Sequence, residues 1–529
     1  MWKLTRRWPE LVLVAGLAVY LAISASYLGV FPAVGEDEPW IAAAPYKLAT
    51  EGVYGSDLFA GYYGVDRHNY QHMPVYPLLQ AALFAVAGTG VVQMRLLPVA
   101  FGFLLLIVVF LVGRQAAGGR VGALAVIALL VLRIADGAGP TGILLLDRAR
   151  INRYDIAVPV FGLFALWLFL RAEERKAYVL VGVLVGLASL SHLYGIFWLP
   201  AMFAVLVTQR GVRVAGRSTP WLITAGVALT WVPWLLYIAT GWTDFVGQMR
   251  FVSPRFDLLD PAFYAGNVMD QAGPLSIGWL ASALGDLSPG RIGTWAVVVG
   301  LPASLVAIVR EARRGGETRR TLPVAVCLAV LIAAFVVLIH AKGYNYMIAL
   351  WPAGAIVIAI GAARLWDNGG MLGRAGLALV IGAAAVEGLG RVSDARALAA
   401  QTTSYEWYTG EVARCIPSGS LVLGLQHYWL GLRQFPYRTW LVATNNAHPA
   451  YSHDPVPLDE AIDRINPDVI LVDRHIDTML RNARNPSHPY HHYALGFQAF
   501  VARRGAQVTC VIRDRTYGMM RVYRVPHIQ

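Results

Sequence analysis

Long apolar runs, broken at short intervals by clusters of charge, dominate the chain up to about residue 390. A helix needs about 20 mostly apolar residues to cross the hydrocarbon of a bilayer. Eleven runs approach that length: 11–31, 95–113, 121–136, 155–171, 178–191, 193–209, 220–239, 292–309, 321–340, 345–363 and 374–390. The basic residues between them alternate regularly. Threading the runs in order puts Arg114 to Arg120, Arg171 to Lys176, Arg210 to Arg217, Arg310 to Arg320 and Arg364 to Arg374 on the same side as the basic start, Lys3, Arg6 and Arg7. Lys/Arg-rich loops mark the cytoplasmic side. The pattern therefore predicts a cytoplasmic N-terminus, with 32–94, 137–154, 191–192, 240–291, 340–344 and everything after 390 outside. The first run follows a basic N-terminus as a signal peptide does, but it is long enough to span and has no convincing Ala-x-Ala site, so it is read as a retained span.

Beyond about residue 391 the pattern changes. Short β-branched runs at 420–425, 468–473, 507–512 and 519–525 alternate with helical stretches such as Leu458 to Ile465, which stops at Asn466-Pro467. That alternation predicts a small α/β domain. The expected fold is a polytopic α-helical membrane protein of about eleven transmembrane helices (1–390, with a long first outer loop at 32–94), followed by a soluble extracytoplasmic α/β domain (391–529). Inside the first outer loop, Val75 to Val86 is apolar but short and punctuated by Pro74 and Pro77, so it is expected at the membrane surface. No internal repeat or low-complexity tract is evident.

Composition sharpens this reading. Hydrophobic residues make up 57% of the chain and charged residues 14%, against about 25% charged in soluble proteins; mean hydropathy is +0.52. The net charge of +12 is spread over loop clusters, which suits topology signals and not a nucleic-acid surface. The three cysteines, Cys327, Cys415 and Cys510, form no metal-binding spacing, and a Cys415–Cys510 disulfide is left open.

Candidate chemistry gathers on the predicted outer side. Gly35-Glu36-Asp37-Glu38-Pro39-Trp40 sets three carboxylates just beyond the first span, and ionisable groups near a membrane are costly unless used. His68, His72, His192, His340, Asp57, Asp66, Arg67, Asp147, Arg148, Arg150, Arg153, Asp155 and Lys342 fall on the same side. Asp37 can take a proton from an attacking hydroxyl; equally, Asp37 and Glu38 suit the first turn of a helix, with Pro39 well placed there. Arg150, Arg153 and Lys342 can hold a phosphate or snorkel from span ends. His192 and His340 can bind substrate or cap helices. Glu36, Asp37 and Glu38 can also hold a divalent cation, although no compact ligand motif supports one, and Ser487 to His492 reads as a surface loop.

Several short motifs, taken in order, resemble the GT-C glycosyltransferases that use polyprenyl-phosphate sugars, in particular the branch of the protein O-mannosyltransferases and the lipid A aminoarabinose transferase. They are Gly35 to Trp40 followed by Ala49-Thr50-Glu51-Gly52, His72-Met73-Pro74-Val75-Tyr76-Pro77, Met94-Arg95-Leu96-Leu97-Pro98, Arg153-Tyr154-Asp155, Leu190-Ser191-His192-Leu193-Tyr194-Gly195, and Lys342-Gly343-Tyr344-Asn345-Tyr346 with Pro352. The resemblance covers roughly 1–390. It implies a membrane enzyme of the bacterial cytoplasmic membrane that moves a sugar from a polyprenyl-phosphate donor to an acceptor hydroxyl on a glycan, lipid or protein, by inversion, at the outer face. It implies Asp37 as general base, Glu38 and Asp155 as further catalytic acids, Arg153, Lys342, Arg150 and Tyr344 on the lipid phosphate, and His72, Tyr76, His192 and Tyr346 on substrate. A cofactor is not required by this reading, with a divalent cation left open. Two other activities compete: a transporter or flippase of lipid-linked sugar, and a metal-dependent GT-C enzyme of the oligosaccharyltransferase type. A non-catalytic envelope-assembly protein is the third alternative.

Overall fold

The computed structural model describes residues 7–134, 139–211, 213, 218–252, 257–270, 291–314, 320–340, 342–481, 485–488 and 490–526. Parts of several expected loops, including 253–256 and 271–290, and basic residues within 1–6, 214–217 and 315–319, lie outside the described residues. Each of the eleven apolar runs is a helix: Trp8–Ala25, Val91–Ala117, Gly119–Val131, Ala157–Arg171, Arg175–Ser191, Trp198–Arg210, Ser218–Thr240, Ile292–Arg314, Leu322–Leu338, Trp351–Asn368 and Gly370–Ala399. Seven helical stretches among the described residues are long and apolar enough to cross a membrane. The others are shorter, or carry charge at their ends: Gly119–Val131 has 13 residues and Leu322–Leu338 has 17. Gly119–Val131 buries Val121, Ala125, Val126 and Leu129 among others against its neighbours, and there close contact replaces length. Backbones meet directly at Gly113 and Gly122, where a Cβ on Gly113 would come 2.9 Å from the Gly122 Cα. Such approach between small residues is how helices associate in lipid.

The last of these helices, Gly370–Ala399, runs past position 390 and leads toward a C-terminal α/β domain. Its five strands are β1 (Val422–Gly424), β2 (Tyr437–Thr439), β3 (Val469–Val472), β4 (Gln507–Asp514) and β5 (Gly518–Arg524), in the order β2-β1-β3-β5-β4. β2, β1 and β3 run parallel, joined through helices, while β5 and β4 form an antiparallel hairpin. Four of these strands coincide with the β-branched runs; β2 is three residues long and carries Arg438 at its centre, so it left no such run. Cys415 and Cys510 are disulfide-bonded, with Cα atoms 6.1 Å apart, and Cys327 is a free, buried thiol. Ser487 and His488 are in a turn, whereas His491 already begins the helix His491–Arg504.

The long first loop belongs to the same hydrophobic core as this domain. Val34, Leu58, Phe59, Tyr62 and Val65 pack in one cluster with Tyr405, Trp440, Val469 and Phe500. Polar contacts reinforce the junction: Val34 N–H donates to the Tyr517 hydroxyl at 3.5 Å, Arg438 to the Asp57 carbonyl at 2.9 Å, and the Tyr62 hydroxyl to the Tyr451 carbonyl at 3.0 Å. The apolar stretch after Pro74 is the helix Val75–Ala87, which packs between the helices Asp37–Glu51 and Val91–Ala117.

Candidate active site

The acidic run opens a helix. Asp37–Glu51 has Asp37 and Glu38 in its first turn and ends at Gly52, whose φ of +73° is the left-handed conformation that glycine adopts freely. Carboxylates at that end are favoured by the helix dipole. Neighbouring positions on a helix do not face the same way, and the acidic side chains separate accordingly.

Glu38 turns into the core, 1% exposed. Its carboxylate accepts from Arg95 Nε at 2.8 Å, Arg95 Nη2 at 2.7 Å, Asn152 N–H at 2.9 Å and Gly35 N–H at 3.1 Å. Arg95, itself fully buried, also donates to the carbonyls of Leu28 and Pro32. Expected as a catalytic acid beside Asp37, Glu38 is therefore the anchor that ties the loop to the helix Val91–Ala117. Glu36 turns the other way, its Oε1 3.9 Å from His475 Nδ1 of the C-terminal domain, and burial raises its carboxyl above the usual range. The three carboxylates do not converge, so this trio does not fit a cation. Among the described residues no cluster of three or more His, Cys, Asp or Glu side chains does.

Asp37 remains half-exposed, 45%, on the wall of a cavity of about 290 Å3. Arg153 pairs with Asp37 through Nη1 and donates from Nε to Asp155 Oδ2 at 2.7 Å. Both Arg153 and Asp155 are buried behind Asp37. Burial disfavours the Arg153 charge, but Asp155, then Tyr154 and Asp37, more than offset it and hold the guanidinium above its ordinary range. The second oxygen of Asp155 is buried, has no hydrogen-bond partner among the described residues, and lies 3.8 Å from His192 Nε2. His192 Nδ1 accepts from the Tyr194 N–H at 3.1 Å, which leaves Nε2 as the protonated nitrogen of the neutral ring.

Aromatic and imidazole rings complete the wall. His72 stands between Trp40 (5.1 Å) and Tyr154 (5.7 Å), and the Arg153 guanidinium lies over Tyr346 at 5.6 Å. Burial, with His192 and Arg153 adding, pushes the His72 imidazole down to about 3, so it is neutral at physiological pH. Sequence reasoning named Asp37, Arg153, His72, His192 and Tyr346, which all line this cavity. It passed over Trp40, Tyr154 and Phe251 as wall residues; the first two stood inside quoted motifs, but nothing in a single sequence separates a wall aromatic from a packed one.

The other expected site residues lie elsewhere. Tyr76 is buried and donates to Asn152 Oδ1 at 2.7 Å; Asn152 in turn donates to the Glu38 carbonyl at 2.9 Å. Arg150 donates to the carbonyls of Ser26 and Phe31. Lys342 Nζ donates to the carbonyls of Asn267, at 2.5 Å, and Asp270, at 3.2 Å. The Tyr344 hydroxyl is 3.5 Å from Asp147 Oδ2, beneath Arg148. None of the four lines the cavity.

Residues 71–237 match the profile of the family described as dolichyl-phosphate-mannose-protein mannosyltransferase. No curated protein sequence matches significantly. Among solved structures, ArnT from Cupriavidus metallidurans, crystallised with undecaprenyl phosphate, superposes with a TM-score of 0.62 at 17% identity, over 97% of this chain and 98% of that one. The fold is that of the GT-C glycosyltransferases. The archaeal oligosaccharyltransferase AglB from Archaeoglobus fulgidus, in complex with an inhibitory peptide and a dolichol-phosphate, is also similar (TM-score 0.58, 13% identity, 98% of this chain and 74% of that one). An oligosaccharyltransferase structure from the same organism, in complex with Zn and sulfate, matches at a TM-score of 0.53 and 13% identity, over 96% of this chain and 72% of that one. In this chain the acidic loop and the Arg153-Tyr154-Asp155 turn meet at one cavity, beside a multi-pass helical body.

Proposed function

We propose that the chain transfers a sugar from a polyprenyl-phosphate donor to an acceptor hydroxyl, with inversion, at the extracytoplasmic face of a bacterial-type membrane. The observation that carries this reading is the placement of Asp37: half-exposed on a cavity wall, beside a buried arginine that is itself oriented by a second carboxylate. Asp37 takes the proton of the acceptor hydroxyl as the acceptor oxygen bonds to the anomeric carbon. The bond from that carbon to the phosphate oxygen breaks, and polyprenyl phosphate leaves with the electron pair. Arg153, the cavity's buried cation, faces the departing charge, where an aligned donor is worth far more than in water. Asp155 and the Tyr346 ring keep that guanidinium in place, and the rings of Trp40, His72 and Tyr154 shape the space for the sugar.

Polyprenyl phosphates held by structures of the same fold support the donor class. The alternation of basic loops and the Cys415–Cys510 disulfide, a bond favoured in oxidising compartments, support an extracytoplasmic C-terminal domain. The test is reconstitution in vesicles with a panel of polyprenyl-phosphate sugars, reading release of polyprenyl phosphate and the anomeric configuration of the product. Release with inversion is expected. Movement of intact donor across the bilayer without cleavage would make the protein a transporter instead, and loss of turnover on chelation would assign a metal-dependent reaction.

A further inference from the structure

A second cavity, about 530 Å3, lies between the first loop and the C-terminal domain and shares no lining residue with the Asp37 cavity. Its size falls within the roughly 300–1,000 Å3 of small-molecule sites, and the established fold gives it no task. Its walls bring together Tyr63 of the first loop with Arg438, Asn446, Asp454 and Arg464 of the domain.

The donors are arranged for exchange. Arg438 uses Nη1 on the carbonyls of Asp57 and Tyr437, and its other N–H groups have no partner among the described residues. Arg464 donates to Glu460 at 2.8 Å across one helical turn, both side chains half-exposed; such surface pairs are weak and readily replaced. The lining thus holds two guanidinium groups and one carboxylate, Asp454. Asn446 adds a group that both donates and accepts.

The aromatic wall is held under constraint. Tyr63 has φ +40°, a backbone conformation rare for a bulky side chain. It persists because its carbonyl accepts from Gln248 at 3.1 Å and its hydroxyl accepts from the His453 N–H at 2.8 Å. Residues kept in such conformations cluster at ligand sites.

A ring contact runs between the surroundings of the two cavities. Tyr451, next to Ser452–Asp454 of the second cavity, sets its ring, tilted, 5.8 Å from that of Phe251, which lines the first. One aromatic pair therefore joins the two walls.

Sugar rings present hydroxyls that donate and accept, together with an apolar C–H face. This cavity offers bidentate donors, an acceptor, an amide and a fixed phenol ring, with cations in excess. We infer that it binds an acidic oligosaccharide, the part of the acceptor remote from the reacting hydroxyl; the acceptor role rests on the transferase reading, the binding does not. The test is calorimetric binding to the full-length protein in nanodiscs, using tetragalacturonate, a phosphorylated maltotetraose and neutral maltotetraose at physiological salt. At least one acidic probe is expected to bind tenfold or more tightly than the neutral one. Arg464→Gln with Asn446→Ala should weaken that binding at least tenfold while the melting curve stays in place, and Asp37→Asn should bind as the natural protein does. Arg464→Gln alone, which alters only a half-exposed side chain, serves should the double variant misfold. The preferred acidic probe tells whether the acid group is a carboxylate or a phosphate. Equal affinity for maltotetraose, no binding of any probe, loss in Asp37→Asn, or no effect of the cavity substitutions would overturn the inference. Failure of the transferase reading would appear separately, as absence of polyprenyl phosphate release with binding intact.

Discussion

Glu38→Gln removes one charge from a buried site where four N–H groups converge on a carboxylate. Arg95, fully buried, keeps its bonds to the Leu28 and Pro32 carbonyls at 2.9 and 2.8 Å but loses its counter-charge. Breaking a buried ion pair from one side costs about 3–5 kcal/mol, and each buried donor left unmet about 1–3 kcal/mol. The glutamine oxygen can serve some of the four donors, whereas its amide must face another donor. A net loss of about 3 kcal/mol follows, seen as a lower melting temperature. Thermal unfolding in nanodiscs measures it. Glu38→Gln with Arg95→Met should recover part of the loss, because no charge then stays buried alone. The reasoning is refuted if Glu38→Gln melts like the natural protein yet loses turnover a hundredfold, for Glu38 would then act in the chemistry and not in the scaffold.

Other consequences can be checked as directly. Asp155→Ala leaves Arg153 without the acceptor at 2.7 Å that orients it, and misplacement of about 1 Å can cost 10²-fold; donor cleavage should fall by about that factor with the protein still folded. Burial, with His475 and Arg474 adding, pushes the His427 imidazole down to about 3. It stays neutral in the folded domain while the unfolded ring takes up a proton near pH 6.5, so its contribution to stability is complete above that pH and is lost as pH falls toward 3. His427→Gln should flatten the melting temperature over this window; Asp473, raised by burial, acts in the opposite sense. Thiol labelling in denaturant should find one reactive cysteine, Cys327, before reduction and three after it, since Cys415 and Cys510 are paired.

Much of the fold was legible because lipid imposes it. Every apolar run had to become a helix, since backbone groups cannot stay unpaired in hydrocarbon, and four of five strands were visible as β-branched runs. Length was the weaker guide: Gly119–Val131 is shorter than its run suggested, and its Gly122 meets Gly113 of Val91–Ala117 at backbone contact. Asp37 and Arg153, which the sequence singled out, line one cavity. The pairing of Glu38 with Arg95 was hidden because the two lie 57 positions apart, a distance over which one sequence carries no pairing signal. The contacts of Lys342 and Arg150 were hidden for the complementary reason: each donates to backbone carbonyls, which have no side-chain signature at all. The shared core of the first loop and the C-terminal domain was likewise hidden, since Phe59 and Phe500 come together only through long-range packing.

The central claim is that Asp37 removes the acceptor proton. Single-turnover cleavage of a polyprenyl-phosphate sugar by Asp37→Asn, with acceptor present and donor affinity measured alongside, tests it most directly. A positioned general base contributes about 10²–10⁴ in rate. The account predicts a loss of that size in the cleavage rate, with donor affinity and melting temperature little changed. Cleavage at the natural rate would contradict it.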